Sequence, residues 1–191
     1  MPNWCSNTLV LEHDDPAMIK RAETAFADGK FLNEFIPVPE SLHIVAGRVG
    51  DDTDPEQIKL HEQTMNNLSV HGYATWYDYC VNEWGTKWDV GGDDGNISEA
   101  TENSITLYFD SAWAPPVAAY EKLEGLGFRV NAMYHEPGVS FAGIYKDGED
   151  DCYDLNGLDS KQVRAELPQE LDDAFGIVEQ IEEWEDEENA E

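Results

Sequence analysis

Apolar residues recur along this chain with two periods, and the switches between them predict an alternating series of strands and helices. Residues 6–12 alternate, with Leu9 and Leu11 on one face and Thr8 and Val10 on the other, the mark of a half-buried strand. Asp15 followed by Pro16 is an N-cap with proline at the first helical position. Met18, Ile19, Ala22, Ala25 and Phe26 then fall at helical spacing until Asp28-Gly29. Residues 31–39 are apolar but interrupted by Pro37 and Pro39, which predicts an ordered loop. Asp54-Pro55 opens a second helix to about Leu68, and an aromatic-rich third runs over residues 73–83. Residues 84–90 read as a strand, with the glycine-rich run 91–96 as its turn. Residues 104–110 alternate clearly, Pro115-Pro116 starts another helix, and residues 128–135 and 139–145 read as a hairpin turning at Glu136-Pro137-Gly138.

The order strand, helix, strand, strand, helix, strand, with one extra strand, predicts an α+β fold. Its arrangement is the ferredoxin-like split βαβ, an antiparallel sheet carrying its two helices on one face. Residues 40–84 stand out as a helical insertion between the first helix and the second strand. The expected domain is therefore 1–147, followed by an acidic helical tail over 148–191. In that tail Leu167, Leu171, Phe175, Val178, Ile181 and Trp184 recur every three or four residues among Asp and Glu. Such a stripe needs cover, from the free face of the sheet or from a partner. Leu171, Phe175, Val178, Ile181 and Trp184 are the partner-binding candidates.

Charge sharpens this picture. The chain of 191 residues has 41 acidic and 11 basic side chains, a formal net charge of −30. Between Asp147 and Glu191 stand eighteen acidic and two basic residues, so more than half of the excess lies in the tail. A field of this sign repels phosphate backbones, which argues against direct nucleic-acid binding. It attracts basic surfaces, including those that handle DNA. Cys5, Cys80 and Cys152 are too scattered for a disulfide framework or a zinc knuckle. No apolar run approaches the ~20 residues of a membrane span, and no signal peptide opens the chain, so a cytoplasmic location is expected.

Familiar catalytic and ligand motifs are missing. His61-Glu62-Gln63-Thr64-Met65 begins like a zincin helix but puts methionine at the second ligand position. The run from Asp89 to Gly95 lacks the oxygen-ligand spacing of an EF-hand. There is no phosphate-binding glycine loop, so no metal and no cofactor is expected. Three tryptophan motifs remain. In Pro2-Asn3-Trp4-Cys5-Ser6-Asn7, loss of Met1 would expose a secondary amine at Pro2, although a pinned terminus is the simpler role. In Glu83-Trp84-Gly85-Thr86-Lys87-Trp88-Asp89, a strand would put Trp84 and Trp88 on one face, and Lys87 and Asp89 on the other. In Ser111-Ala112-Trp113-Ala114-Pro115-Pro116, Ser111 or nearby amides would offer a helix N-terminus to an anion, or Trp113 would plug the core. A ligand cleft would gather Asn3, Trp4, Trp84, Lys87, Trp88, Asp89, Trp113 and Glu136.

These motifs, followed by Tyr134-His135-Glu136-Pro137-Gly138-Val139-Ser140-Phe141-Ala142-Gly143, stand in the order found in a known family. The chain resembles the YubB-type ferredoxin-like domains of conjugative plasmids and phages, a family of unknown function. The resemblance spans residues 2–143 and implies the fold and a mobile-element origin; it brings no catalytic residues with it. Mobile-element biology then suggests an accessory protein that binds and inhibits a basic host protein, such as a nucleic-acid-handling defence enzyme, by acidic mimicry. The alternative is a small-molecule or nucleotide-binding enzyme with a Trp/Lys/Glu cleft.

Overall fold

The computed structural model describes residues 2–190, with side chains as far as Glu187. Met1, and with it the reading of a processed N-terminus, lies outside the described residues, as does Glu191. The sheet is built from β1 (Trp4–Glu12), β2 (Gly95–Ala100), β3 (Ser104–Ala112), β4 (Arg129–Glu136), β5 (Phe141–Lys146) and β6 (Glu149–Asp154). Every pairing is antiparallel, and the order across the sheet is β2-β3-β1-β4-β5-β6. The fold is α+β.

Helix α1 (Pro16–Ala27) starts as its sequence demands: Asp15 accepts the Ala17 N–H at 2.9 Å, and Pro16 needs no partner for a missing N–H. Its Ile19, Ala22 and Phe26 meet Ala119, Tyr120 and Leu123 of α5 (Val117–Gly125) over Leu9, Leu11, Ile105 and Leu107 of the central strands. Between α1 and β2 the chain inserts α2 (Phe31–Phe35), α3 (Pro55–His71) and α4 (Trp76–Glu83). Phe31, Leu32, Cys80 and Trp84 from this insertion join the same core. Residues 31–35 form a helix rather than the expected loop. The carboxylate of Asp89, far away in sequence, accepts the N–H groups of Leu32 (2.6 Å) and Asn33 (3.0 Å) and so caps α2.

Residues 84–90 are not a strand, contrary to the alternation of their tryptophans. α4 ends at Glu83, the Gly85 N–H donates to Cys80 O, and Gly85 turns the chain at φ +89°. A Cβ at Gly85 would also press against the backbone of Pro115 and Val117. The two tryptophans consequently part: Trp84 enters the core and Trp88 stays at the surface. The second strand lies instead at Gly95–Ala100, within and beyond the run read as a turn. It is an edge strand whose Ile97 packs on the core beside polar neighbours, so its sequence carries little alternation.

The expected boundary at 147 also moves. Asp147 (φ +53°) and Gly148 (φ +79°) are the two residues of a tight hairpin turn, and Lys146 pairs with Glu149 across it. β6 therefore continues the sheet into a segment composition had marked as tail. Beyond it come α6 (Ser160–Glu166), α7 (Gln169–Phe175) and α8 (Ile177–Ala190). Leu167, Leu171, Ile177 and Val178 bury themselves on Met133, Ala142 and Ile144, on the sheet face opposite α1 and α5. The apolar stripe is thus covered by its own sheet. Helices lie on both faces, not one.

Candidate functional site

The C-terminal helices cover only the β4–β6 half of the second face. On the other half, β1 turns Trp4, Ser6 and Thr8 outward, and β3 turns Tyr108 and Asp110 outward beside them. The registers Ser6↔Asp110 and Thr8↔Tyr108 fix these neighbours, and Asn96 stands opposite Tyr108 on β2. Ser6 Oγ donates to Asp110 Oδ1 at 2.8 Å, which holds that carboxylate across the strands. A hollow of about 490 Å³ lies here, walled by Asp93 and Asp94 on one side and by Ala174 and Phe175 of α7 on the other. A second, of about 440 Å³, adjoins it and shares Asp94 and Asp110; Trp4, Trp88, Asp89, Val90, Gly91 and Ala112 complete it. No lysine or arginine lines either hollow among the described residues.

The three tryptophan motifs do meet, though in a different pattern from the one expected. Trp4 and Trp88 stand 5.9 Å apart between ring centroids, tilted by 39°, and are 46% and 39% exposed. Trp113 donates its backbone N–H to Asn3 O at 3.0 Å, and its side chain projects into solvent, the residue being 48% exposed. It holds φ +75°, a left-handed conformation that is uncommon for a bulky side chain. Trp113 therefore does not plug the core. Lys87 Nζ lies 4.5 Å from the Trp88 ring centroid and 5.7 Å from that of Tyr77, and it lines another hollow with Trp76 and Trp84 that shares Trp88 and Asp89 with the second one.

Other predicted site residues are used by the fold. Trp84 is 3% exposed, its Nε1–H donates to Ile36 O at 2.9 Å, and its carbonyl accepts the Ala119 N–H. Asp89 caps α2. Burial pushes its acidity weaker than an ordinary aspartate, offset in part by the N–H groups it accepts. Glu136, also buried, accepts the N–H groups of Gly138 (2.9 Å) and Val139 (2.7 Å) and so shapes the β4–β5 turn. Asn3 lies against the same turn, since a Cβ on Gly138 would strike both its amide and the Glu136 carboxylate. Lys87 and Glu136 thus do not converge. Ser111 is buried too, donating to Ala114 O and accepting from Asn7 Nδ2, both at 2.8 Å. It does not offer α5 to an anion.

Burial holds two possible nucleophiles protonated. Desolvation raises the Cys5 thiol far above its ordinary value, with Glu136 adding to the effect, and pushes Cys80 up to about 12. Among the described residues no group of three or more His, Cys, Asp or Glu is placed to hold a metal ion. No described helix is long and apolar enough to cross a membrane.

Of the predicted tail residues, Leu171 and Val178 are buried in the second core, Ile181 packs at its edge, and Trp184 is exposed. Phe175 alone reaches the open face, with its ring 5.9 Å from that of His135. His135 is 7% exposed, and its desolvation lowers its proton affinity although Glu136 pulls the other way. A histidine depressed in the fold contributes stability above about pH 6.5, the unfolded value, which is lost as the pH falls towards the folded one. Unfolding free energy should therefore drop between pH 7.5 and pH 5.5 in the natural chain. It should drop less in His135→Gln; equal slopes in denaturant titrations would remove His135 as the cause.

Sequence reasoning passed over Ser6, Asp93, Asp94, Tyr108 and Asp110. The signal was present for β3: in Thr106-Leu107-Tyr108-Phe109-Asp110 the outward parity carries an aromatic ring and a carboxylate. Asp93 and Asp94 lay in a run read as a turn and weighed otherwise only as an EF-hand, whose ligand spacing it lacks.

No family model matches the chain, and no curated protein does. Among solved structures, the crystal structure of a protein api92 from Yersinia pseudotuberculosis, of family DUF1281, is similar at 13% identity with a TM-score of 0.40. The alignment covers 80% of this chain and 98% of that one.

Proposed function

We propose that this chain is a non-enzymatic accessory protein of a plasmid or phage that binds a basic host protein and competes with nucleic acid for it. The observation that carries this reading is the uncovered β2-β3-β1 half of the second sheet face. It combines exposed Trp4, Trp88 and Tyr108 with Asp93, Asp94 and Asp110, and no cation lines its hollows among the described residues. Aromatic anchors within a polar rim are what protein interfaces use, and a negative field accelerates capture of a basic partner. A nucleic-acid-handling host enzyme, such as a defence nuclease, presents the complementary charge.

A ferredoxin-like split βαβ core is the fold we assign. The order β2-β3-β1-β4 supports it, with α1 linking β1 to β2 and α5 linking β3 to β4. The motif series supports the YubB-type resemblance and, through it, the mobile-element origin.

Co-purification from a host lysate at low salt, with mass spectrometry of what is retained, tests the function. A basic, nucleic-acid-binding protein should be recovered, and nucleic acid should displace it. Raising salt from 50 to 500 mM should weaken the complex at least about tenfold, because exposed charges are screened. Recovery of no basic protein, or binding indifferent to salt, would overturn the reading.

A further inference from the structure

The hollow between Trp4 and Trp88 differs from the rest of the open face in combining two exposed indoles with three carboxylates, of which Asp89 is engaged in capping α2 and Asp94 and Asp110 are not. Asp110 is oriented by Ser6 Oγ at 2.8 Å. Asp94 shares the wall, and its carboxylate accepts no side-chain or backbone hydrogen bond among the described residues. We infer that this hollow seats one arginine side chain of the basic partner, with its guanidinium stacked on an indole and its N–H groups directed to Asp110 and Asp94. The inference rests on the proposed binding of a basic protein.

Three considerations select arginine. The volume of about 440 Å³ leaves room for a long side chain. A planar guanidinium is weakly hydrated, so it gives up water to an aromatic face more readily than a lysine ammonium does, and it matches carboxylates as a fork. The chain also shows this mode of contact on itself. Arg21 Cζ lies 4.7 Å from the Phe35 ring centroid while its Nε–H donates to Glu34 Oε1 at 2.6 Å. In the Trp4–Trp88 hollow the rings and the carboxylates are present, and no lysine or arginine lines it among the described residues. Trp88 also has its own Lys87 over the ring at 4.5 Å, and that lysine lines the other hollow.

The test titrates the full chain with Nα-acetyl-argininamide and, separately, Nα-acetyl-lysinamide, following the indole N–H resonances of the six tryptophans. The arginine compound should shift Trp4 and Trp88 and leave buried Trp84 and the tail's Trp184 in place. It should bind at least about threefold tighter than the lysine compound. Trp88→Ala and Asp110→Asn should each weaken it about fivefold or more; Trp184→Ala should not, and melting temperatures should confirm that every variant folds. Equal binding of lysine, shifts led by Trp184, or affinities unchanged by both site variants would overturn the inference. Specific arginine binding without a basic protein in the pull-down would leave the hollow standing as an arginine site and overturn the proposed function. A basic protein whose binding is insensitive to Trp88→Ala and Asp110→Asn would do the reverse.

Discussion

A chain ending at Gly157 is expected to lose its monomeric folded state. Removing α6, α7 and α8 strips Leu167, Leu171, Ile177 and Val178 from Met133, Ala142 and Ile144, and uncovers the β4–β6 half of the sheet. Uncovered apolar surface on a sheet is an association site, so the truncated chain should sediment as aggregates or oligomers and melt without a sharp transition. The full-length variant Leu171→Ala makes the same point with less disruption. Leu171 is fully buried, and its loss should cost about 2–4 kcal/mol, since the cavity adds to the lost transfer energy. Denaturant titration measures that cost directly. A truncated chain that stays monomeric and melts as the full one does would mean the tail is a free arm.

Trp84→Ala should be among the most damaging single substitutions outside the tail. The side chain joins α4, α2 and α5, and its removal leaves the Ile36 carbonyl without its donor as well as a large cavity. The expected loss is about 3–5 kcal/mol, a large share of the ~5–15 kcal/mol that holds a typical domain together. Trp88→Ala, four residues on, should change stability by no more than about 1 kcal/mol, because the ring already faces solvent on one side. Equilibrium unfolding of the two variants side by side checks this. Comparable losses would contradict the assignment of one tryptophan to the core and the other to a binding face.

That contrast also marks where sequence was legible. β1, α1, β3, α5 and β4 announced themselves because each has one face on the core, so burial imposes a period on its residues. β2 and β6 did not. They are edge strands, and in Glu149-Asp150-Asp151-Cys152-Tyr153-Asp154 acidic composition hides a strand that backbone pairing and a two-residue turn define. Trp84 and Trp88 alternate as a strand would, but the positive φ at Gly85 and the cap it supplies to α4 override the pattern. The cap of Asp89 on α2 joins residues more than fifty positions apart, which no local period encodes.

The site was half legible. The tryptophan motifs meet, which sequence alone left open, yet Glu136, Ser111 and Trp84 proved to be turn anchors and core, and Asp89 caps α2 while lining the Trp4–Trp88 hollow. Glu136 and Ser111 bond backbone two or three residues on, and Asp89 and Trp84 bond backbone at the two ends of α2, so their residue types alone looked like chemistry. The acidic residues that matter most for the open face, Asp94 and Asp110, were indistinguishable in a chain with 41 acidic side chains until strand register placed Asp110, and the turn before β2 placed Asp94, beside Trp4 and Trp88.

A charge-matched comparison tests the account most directly. One variant neutralises the face with Asp93→Asn, Asp94→Asn and Asp110→Asn. The other removes the same three charges from the exposed tail with Glu179→Gln, Glu183→Gln and Asp186→Asn. Against the basic protein recovered from the host, the face variant should bind at least about tenfold more weakly while the tail variant stays within about threefold of the natural chain. Equal losses would reduce the interaction to bulk charge, and a loss confined to the tail variant would contradict the open face as the binding surface.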